Sequence, residues 1–364
     1  MRHNARMPHR VFLHIGTPKS GTTFLQEKFA LNRDAIAAQG LTYPNTRSGN
    51  HFEPALDLIE ERWAGQREIA RGQWPALVND AHRAPADVLI SHEILAAATP
   101  TQVRTAMAAF RDHEVHVVLT ARDLARQLPA EWQENIKHRR RRSFANFLSR
   151  VTAARRTNPE MWFWRVQAIP DVLTRWGNGL PPERIHVVTV PQAGAPPDLL
   201  WQRFAGVVGI DPLLAYAEAN DFNQSLGIAE VAVLRRLNKL LAGRSVPREV
   251  YVDLVRELIA RDTLAKRPNQ IRAVLPEPRW GFVEEVTGEW LDWLGGAGVD
   301  IVGDLADLQP RRPDFTDDSW IHPDQPPEDR VAEAALEALA AVIADAAPTH
   351  ESPARRLANR LLRG

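Results

Sequence analysis

The 364-residue sequence contains no cysteine. That absence excludes disulfide bonds, thiolate metal ligands and a cysteine nucleophile, and it fits a reducing compartment without proving one. The sequence also has no excess of positive or negative charge, because 45 Lys and Arg residues are matched by 45 Asp and Glu residues. Net charge therefore indicates neither a nucleic-acid partner nor a membrane surface, and any anion site must come from a local arrangement of residues.

Long apolar runs are absent as well. No run approaches the roughly 20 residues that a membrane span needs, and VFLHIG, which follows the basic start MRHNARMPHR, is too short for a signal-peptide core. These features predict a cytoplasmic protein without an integral membrane segment. The chain length and its 44% hydrophobic content are sufficient for one large α/β domain with helical additions.

Apolar runs rich in β-branched residues alternate with helical patterns. RVFLHIG, DVLISHE, EVHVVLTARD and RIHVVTVP each predict a buried strand. A helix is predicted from Thr22, with Leu25, Phe29 and Ile36 on one face and Gly40 as its stop. Further helices are predicted through TPTQVRTAMAAFRDH and through LARQLPAEWQENIKHRRRRSFANFL. This alternation predicts an α/β fold with a central parallel sheet flanked by helices.

The predicted division places a flexible N-terminus at residues 1–10, the α/β domain at 11–310, and a proline-rich linker with a C-terminal helical tail at 311–364. The tryptophan-rich stretch 158–176 is predicted mainly to pack in the core, with an acceptor-pocket wall as the alternative. Ser225 is predicted to cap a helix. That helix would direct the following residues inward: Ile228, Val231, Leu234 and Leu241.

The loop after the first predicted strand reads GTPKSGTT, residues 16–23. A Walker A loop has its lysine directly after the second glycine, but here Thr22 occupies that position and Lys19 comes earlier. The dinucleotide fingerprint GxGxxG is missing too. The parts of an anion site are nevertheless present. They are a glycine for close backbone approach, N–H groups at a helix start, several hydroxyls and a lysine.

This loop, as TPKSGTTFLQ, resembles the 5′-phosphosulfate loop of the sulfotransferase superfamily, and it is similar to bacterial sulfotransferase-like proteins that open H-I-G-x-P-K-[ST]-G-T-T. The resemblance implies a P-loop-NTPase-like three-layer fold and the donor 3′-phosphoadenosine 5′-phosphosulfate, which leaves as adenosine 3′,5′-bisphosphate, with no metal required. It further implies that Lys19 stabilises the leaving phosphate. The other donor-binding residues that it implies in the loop are Thr17, Pro18, Ser20, Gly21, Thr22 and Thr23.

A second element of that family is an arginine at the end of a later strand, which holds the 3′-phosphate of the donor. VHVVLTARDLARQLPAEWQE supplies Arg122, whose guanidinium fork suits a phosphate monoester. The alternative is a surface pair between Arg122 and Asp123. Where the family usually has a serine, this chain has Ala130. Gln127 or Arg126 is expected to take its place.

Sulfuryl transfer also needs a group that removes the acceptor's proton, which in the family is a histidine or a glutamate. SGNHFEPALDL offers His51 and Glu53, and LISHEIL offers His92 and Glu93. The second pair lies at the C-terminal end of a predicted strand, where open α/β sheets place their ligands. His51 is the first candidate, ahead of Glu93 and Glu53.

Together these inferences predict a cytoplasmic, nucleotide-binding sulfotransferase acting on a hydroxyl or amine of a carbohydrate, lipid or small metabolite. The basic run KHRRRRSF, residues 137–144, has no Phe, Trp or Tyr interleaved among its basic residues, and the chain is neutral overall, so no nucleic-acid partner is expected. The sequence leaves open whether the chain forms a homodimer. Two alternative functions remain, an atypical P-loop kinase dependent on Mg²⁺ and ATP, and a non-catalytic nucleotide-binding protein of the same fold.

Overall fold

The computed structural model describes residues 9–60, 66–215, 217, 225–315 and 320–347. Most of the predicted flexible N-terminus and residues 348–364 of the predicted helical tail lie outside the described residues. The chain divides into two compact units. The larger comprises residues 1–132, 143–223 and 274–320, and the smaller comprises residues 133–142, 224–273 and 321–364. The domain bounds given above stay a prediction.

A six-stranded parallel sheet forms the centre of the larger unit. Its strands are β1 (Arg10–His14), β2 (Leu41–Thr42), β3 (Asp87–Ser91), β4 (Glu114–Ala121), β5 (Ile185–Thr189) and β6 (Asp300–Val302). They lie in the order β2-β3-β1-β4-β5-β6, and each neighbouring pair is parallel. The sheet and its flanking helices confirm the predicted α/β fold class. The short edge strands β2 and β6 were not predicted, because two or three residues show no periodicity.

Helices connect the strands and continue into the smaller unit. In chain order they are α1 (Thr22–Leu31), α2 (Arg33–Ala37), α3 (Phe52–Ile59), α4 (Gln66–Ala70), α5 (Gln73–Arg83), α6 (Pro100–Ala109), α7 (Leu124–Lys137), α8 (Phe144–Thr157), α9 (Trp162–Gln167), α10 (Ile169–Gly177), α11 (Leu199–Val208), α12 (Ile228–Leu240), α13 (Arg248–Val250), α14 (Trp280–Gly296) and α15 (Glu328–Ala346). A π-helix follows α13 at Tyr251–Thr263. Short 3₁₀ segments lie at Glu93–Ala97, Pro182–Arg184, Pro212–Leu214, Leu264–Lys266, Glu277–Arg279 and Leu305–Leu308. In the described part of the chain, no helix combines the length and the apolar character that crossing a bilayer requires.

The predicted first helix is two helices with a common buried face. Leu25, Phe29 and Ile36 are fully buried, as predicted. Asn32 interrupts the helix between α1 and α2, and its Nδ2 donates to the carbonyl of Lys28 at 2.9 Å. A side chain that bonds to nearby backbone in this way competes with the helical ladder.

The predicted long helix after β4 is wrong as a single element. The structure ends α7 at Lys137 and begins α8 at Phe144. Arg139, between them, has a left-handed φ of 65°. Ser143 then caps α8 by accepting the N–H of Asn146 at 3.2 Å. The arginine run therefore lies in the connection between two helices rather than inside one helix.

The cap predicted at Ser225 is also wrong. Helix α12 begins at Ile228 after Gly227, and the hydroxyl of Ser225 instead accepts from Nη1 of Arg272 at 2.5 Å. Three of the residues predicted on its inner face are buried, whereas Leu241 follows the helix end and is partly exposed.

The tryptophan-rich stretch packs in the core. Trp164 and Trp176 are buried, and their indole N–H groups donate to the carbonyls of Val151 at 2.8 Å and Leu95 at 3.0 Å. A buried indole needs such a partner, because an unpaired N–H in the interior costs free energy. These two residues therefore confirm the core interpretation.

The strand order creates a switch point beside β1. From β1 the chain continues towards β2, and from β4 it continues towards β5 on the opposite side. In open α/β sheets, the crevice at the carboxyl ends of such strands is where ligands bind. Residues 16–23 follow β1, Glu93 follows β3 and Arg122 follows β4. The topology therefore brings three of the predicted site elements to one edge of the sheet.

Candidate functional site

Backbone hydrogen bonds hold the start of the loop on the end of β4. Thr17 N–H donates to the carbonyl of Thr120 at 2.9 Å, and the N–H and hydroxyl of Thr120 donate to the carbonyl of Gly16 at 2.6 and 3.1 Å. The hydroxyl of Ser20 contacts the carbonyl of Thr17 and the hydroxyl of Thr120. Ser20 is fully buried. Its side chain therefore supports the loop, and the contact of Ser20 with the donor stays a prediction, for which its backbone N–H is left.

The following carbonyls of the loop also have protein donors. The carbonyl of Pro18 accepts from Nε2 of both Gln127 and Gln167, each at 2.9 Å. The carbonyl of Lys19 accepts from Nη1 of Arg122 at 3.1 Å. In a trans peptide the N–H points opposite to the C=O. The N–H groups of Lys19 and Ser20 are therefore directed away from these partners, which is the arrangement of an anion-binding loop.

Two glycines in the loop have positive φ angles, 115° at Gly16 and 85° at Gly21. Gly21 precedes α1 and, as its N-cap residue, provides no side-chain cap to the first turn of that helix. Such a turn directs its N–H groups, and the positive end of the helix dipole, towards an approaching anion. Thr22 is buried, whereas Thr23 is exposed.

Glu93 lies against this loop. A Cβ added to Gly16 would be 3.0 Å from the carbonyl oxygen of Glu93 and 3.3 Å from its Cα, so only glycine permits this approach. The carboxylate Oε2 of Glu93 accepts from Nε2 of Gln26 on α1 at 2.9 Å. The Glu93 side chain is 24% exposed, so it is not sealed in the interior. Gln26 was not singled out in the sequence, where it is one more polar residue of a helix.

The surroundings of Glu93 keep its carboxylate ionised. Burial raises the pKa of Glu93, but nearby His92, the hydrogen bond from Gln26, the backbone N–H and the charge of Lys19 together hold it below its usual range. His92 itself accepts the N–H of Ile94 at 3.3 Å, and burial lowers its pKa. Glu93 is therefore an ionised carboxylate at neutral pH.

His51, the first candidate for the base, is fully buried. Its Nδ1 accepts the N–H of Ser91 at 3.0 Å, so its Nε2 carries the proton and donates to the carbonyl of Pro44 at 2.8 Å. Burial lowers the pKa of His51 to about 4. Both ring nitrogens are thus used in joining the segment after β2 to the end of β3. This arrangement disfavours His51 as the base.

Glu53, the remaining candidate, lies in the first turn of α3. Its Oε2 accepts from Nη2 of Arg47 at 3.1 Å, and its side chain is 17% exposed. Glu53 therefore belongs to an ion pair, whereas Glu93 packs on the glycine of the loop.

Arg122 leaves the end of β4 and contacts the loop from one side through Lys19. Burial, together with the charge of Arg126, lowers the pKa of Arg122 to about 10, so the guanidinium stays charged at neutral pH. Asp123 is buried and accepts the N–H of Arg126 at 3.0 Å. The alternative of an exposed Arg122–Asp123 surface pair is therefore wrong.

The two residues expected to replace the family's serine at Ala130 are committed to protein partners. Arg126 donates through Nη1 to the carbonyl of Pro191 at 3.0 Å, just beyond β5. Gln127 is 1% exposed, and its Nε2 donates to Thr17 Oγ1 at 3.2 Å as well as to Pro18. Both therefore brace the structure around the loop, and the predicted contact of Gln127 with the 3′-phosphate is disfavoured.

His14 and Thr120 are site residues that the sequence analysis missed. The fully buried ring of His14 lies 2.7 Å from Ser91 Oγ through Nδ1 and 3.3 Å from Thr120 Oγ1 through Nε2. It thereby joins β3 and β4 across β1 beneath the loop. Burial lowers its pKa to about 3. The sequence did offer one signal for these two residues, because each is a polar residue at or near the end of an apolar strand.

Among the described residues, no group of three or more His, Asp or Glu side chains is placed to hold a metal ion.

No protein-family model and no curated protein matches the chain. Solved structures that overlap it include a sulfotransferase from Alicyclobacillus acidocaldarius, with 14% identity, a TM-score of 0.40, and coverage of 68% of this chain and 99% of that one. The sulfotransferase domain of the curacin biosynthetic pathway has 13% identity, a TM-score of 0.34, and coverage of 79% and 98%. The sulfotransferase domain of the Synechococcus PCC 7002 olefin synthase has 12% identity, a TM-score of 0.35, and coverage of 70% and 95%. Similarity at this level establishes neither family nor activity.

Proposed function

We propose that the chain is a sulfotransferase that moves a sulfuryl group from 3′-phosphoadenosine 5′-phosphosulfate to a hydroxyl or amine. The proposal is carried by one observation, the packing of Glu93 against Gly16 of the lysine-bearing loop. An ionised carboxylate and an anion-binding loop then lie side by side at the carboxyl edge of the sheet. Glu93 is proposed to take the acceptor's proton, and the loop beside it to stabilise the leaving anion.

The donor's 5′-phosphate is held by the outward N–H groups of the loop, the open first turn of α1 and the ammonium of Lys19. Arg122 binds the 3′-phosphate. Nη1 of Arg122 donates to the Lys19 carbonyl, and a guanidinium has five N–H donors in all, so further ones can serve this purpose. The groups assigned to the phosphates are all hydrogen-bond donors or cations, and no acidic side chain of the loop takes part.

The transfer step assigns one role to each reacting group. Glu93 takes the proton of the acceptor hydroxyl or amine as the acceptor's oxygen or nitrogen forms its bond to sulfur. The bond between sulfur and the bridging oxygen breaks, and its electron pair stays on the 5′-phosphate of adenosine 3′,5′-bisphosphate. Lys19 and the loop amides stabilise the charge that develops there. Gln26 holds the carboxylate through Oε2.

A transfer assay with sulfur-labelled donor tests this proposal. The donor is incubated with a panel of carbohydrate, lipid, phenol and amine acceptors, in parallel with ATP and Mg²⁺ in place of the donor. Labelled sulfate on one acceptor class, lost in Glu93→Gln, is the expected result. Binding of the bisphosphate without transfer to any acceptor would favour the non-catalytic alternative, and Mg²⁺-dependent use of ATP would favour the kinase.

A further inference from the structure

Three polar side chains form a buried network beneath the loop. Gln127 and Glu131 lie one turn apart on α7, and Gln167 ends α9. Their exposed fractions are 1%, 4% and 2%, in that order. Burying polar groups costs free energy unless each has a partner. Within the described residues Oε1 of Gln127 lacks one, whereas its Nε2 and the amide of Gln167 are hydrogen-bonded.

The hydrogen bonds fix which way the two amides point. Nε2 of Gln127 donates to Oε1 of Gln167 at 2.9 Å. Nε2 of Gln167 therefore lies on the side of its amide opposite to Gln127. There it donates to the carbonyl of Pro18 at 2.9 Å and to Oε1 of Glu131 at 3.0 Å. A carboxylate can only accept, so Glu131 keeps the Gln167 amide in this orientation.

The network ends on a single backbone atom, the carbonyl oxygen of Pro18, which accepts from both glutamines. That carbonyl shares a peptide plane with the N–H of Lys19. Rotation of this plane would remove two hydrogen bonds and leave a buried carbonyl unsatisfied. The same rotation would turn the Lys19 N–H away from the side of the loop where an anion binds.

We propose that Gln127 and Gln167, supported by Glu131, are positioning residues for the donor. They hold the Pro18–Lys19 peptide with its N–H directed at the donor phosphate, and they do so without touching the donor. The inference rests on the proposed function, and it replaces the direct nucleotide contact predicted for Gln127.

Methionine variants at the two glutamines test the proposal, because methionine has a similar length and volume but no amide. Gln133→Met is the matched control. Gln133 lies on the same helix, is 5% exposed, donates to the carbonyl of Leu226 at 3.0 Å and accepts the N–H of Leu226 at 3.1 Å. Calorimetric titration with adenosine 3′,5′-bisphosphate gives Kd for the native chain and each variant, and thermal unfolding gives Tm.

We expect Gln127→Met and Gln167→Met to raise Kd about tenfold, and Gln133→Met to leave it within about twofold, while all three lower Tm. A reversibly unfolded fraction raises the apparent Kd only by the reciprocal of the folded fraction. A tenfold rise in a variant whose Tm shows it to be mostly folded at the titration temperature therefore cannot come from lost stability alone. Gln167→Asn, which keeps the amide but withdraws it from Pro18, serves if a methionine variant does not fold. It should weaken binding in the same way.

The outcomes separate this inference from the proposed function. Native affinity in both methionine variants would overturn the positioning role and leave the sulfotransferase proposal standing. If the native chain does not bind the bisphosphate, the proposed function fails, and inorganic pyrophosphate is then the probe in the same set of variants. A raised pyrophosphate Kd in the two variants supports the positioning role, and an unchanged Kd or no binding overturns it.

Discussion

At the scale of single residues, Glu93 and His51 differ in the atoms they have left for chemistry. Both ring nitrogens of His51 are bonded to backbone groups, and the ring has no exposed surface. Glu93 uses Oε2 for its bond to Gln26, and its side chain stays partly exposed. The sequence could supply both candidates but not their ranking, because burial of His51 depends on packing between segments 40 residues apart.

Glu93→Gln removes the proton acceptor while keeping the shape of the side chain. Loss of a general base lowers turnover by roughly 10²–10⁴-fold, and we expect the Kd of adenosine 3′,5′-bisphosphate to stay nearly constant. Turnover and calorimetric Kd measured on the same preparation check both statements. Glu53→Gln is the control, and full activity in Glu93→Gln would remove Glu93 from the mechanism.

His51→Gln tests the opposite assignment. The variant loses two buried hydrogen bonds, so we expect its free energy of unfolding to fall by about 1–3 kcal/mol. Turnover per folded molecule should stay at the native value, because His51 has no nitrogen left for the acceptor. Denaturant unfolding and active-site titration with the bisphosphate give the two quantities. A variant that folds and binds the bisphosphate but does not turn over would restore His51 as the base.

At the scale of elements, the loop between β1 and α1 has its shape set by neighbours distant in sequence. The pattern of an apolar strand, a glycine loop and a helix could be predicted because each part has its own local signal. The donors to the loop carbonyls come from Thr120, Arg122, Gln127 and Gln167. Of these, only Arg122 and Gln127 were singled out beforehand, on the strength of a family pattern. Gln167 could not be predicted, since nothing local distinguishes a glutamine beneath a loop from one in solvent.

Gly16→Ala tests the contact between this loop and Glu93. Its control is Gly49→Ala, because Gly49 also has a positive φ, 78°, but a Cβ there would meet no atom within 4 Å. An alanine is strained at both positions, because both φ angles are positive, 115° at Gly16 and 78° at Gly49. Only Gly16→Ala also pushes on the backbone of Glu93, so we expect it alone to lower turnover, by about tenfold or more. Equal turnover in the two variants would contradict the packing argument.

At the scale of the whole molecule, buried neutral histidines make stability depend on pH. Burial lowers the pKa of His14 to about 3 and that of His51 to about 4. The unfolded chain, in which a histidine has a pKa of about 6.5, therefore binds more protons than the folded chain at mildly acidic pH. The stabilisation is complete above the unfolded pKa and is lost as the pH falls towards the folded values.

We therefore expect the free energy of unfolding to decrease steadily from about pH 6.5 to pH 4, with each of these histidines adding a slope of up to about 1.4 kcal/mol per pH unit. His51→Gln should reduce the slope by about one such contribution between roughly pH 4.5 and 6. Denaturant unfolding at a series of pH values measures this directly. An identical slope in the native chain and the variant would show that His51 is not held neutral by burial.

The central claim is that the loop binds a donor with a 5′-phosphosulfate and a 3′-phosphate. The most direct measurement is calorimetric titration of the native chain and Lys19→Gln with adenosine 3′,5′-bisphosphate, with AMP and with ATP plus Mg²⁺. We expect the native chain to bind the bisphosphate most tightly, and loss of the charged donor in Lys19→Gln to weaken binding by roughly 10–100-fold. Absence of bisphosphate binding, or tighter binding of ATP with Mg²⁺, would contradict the account.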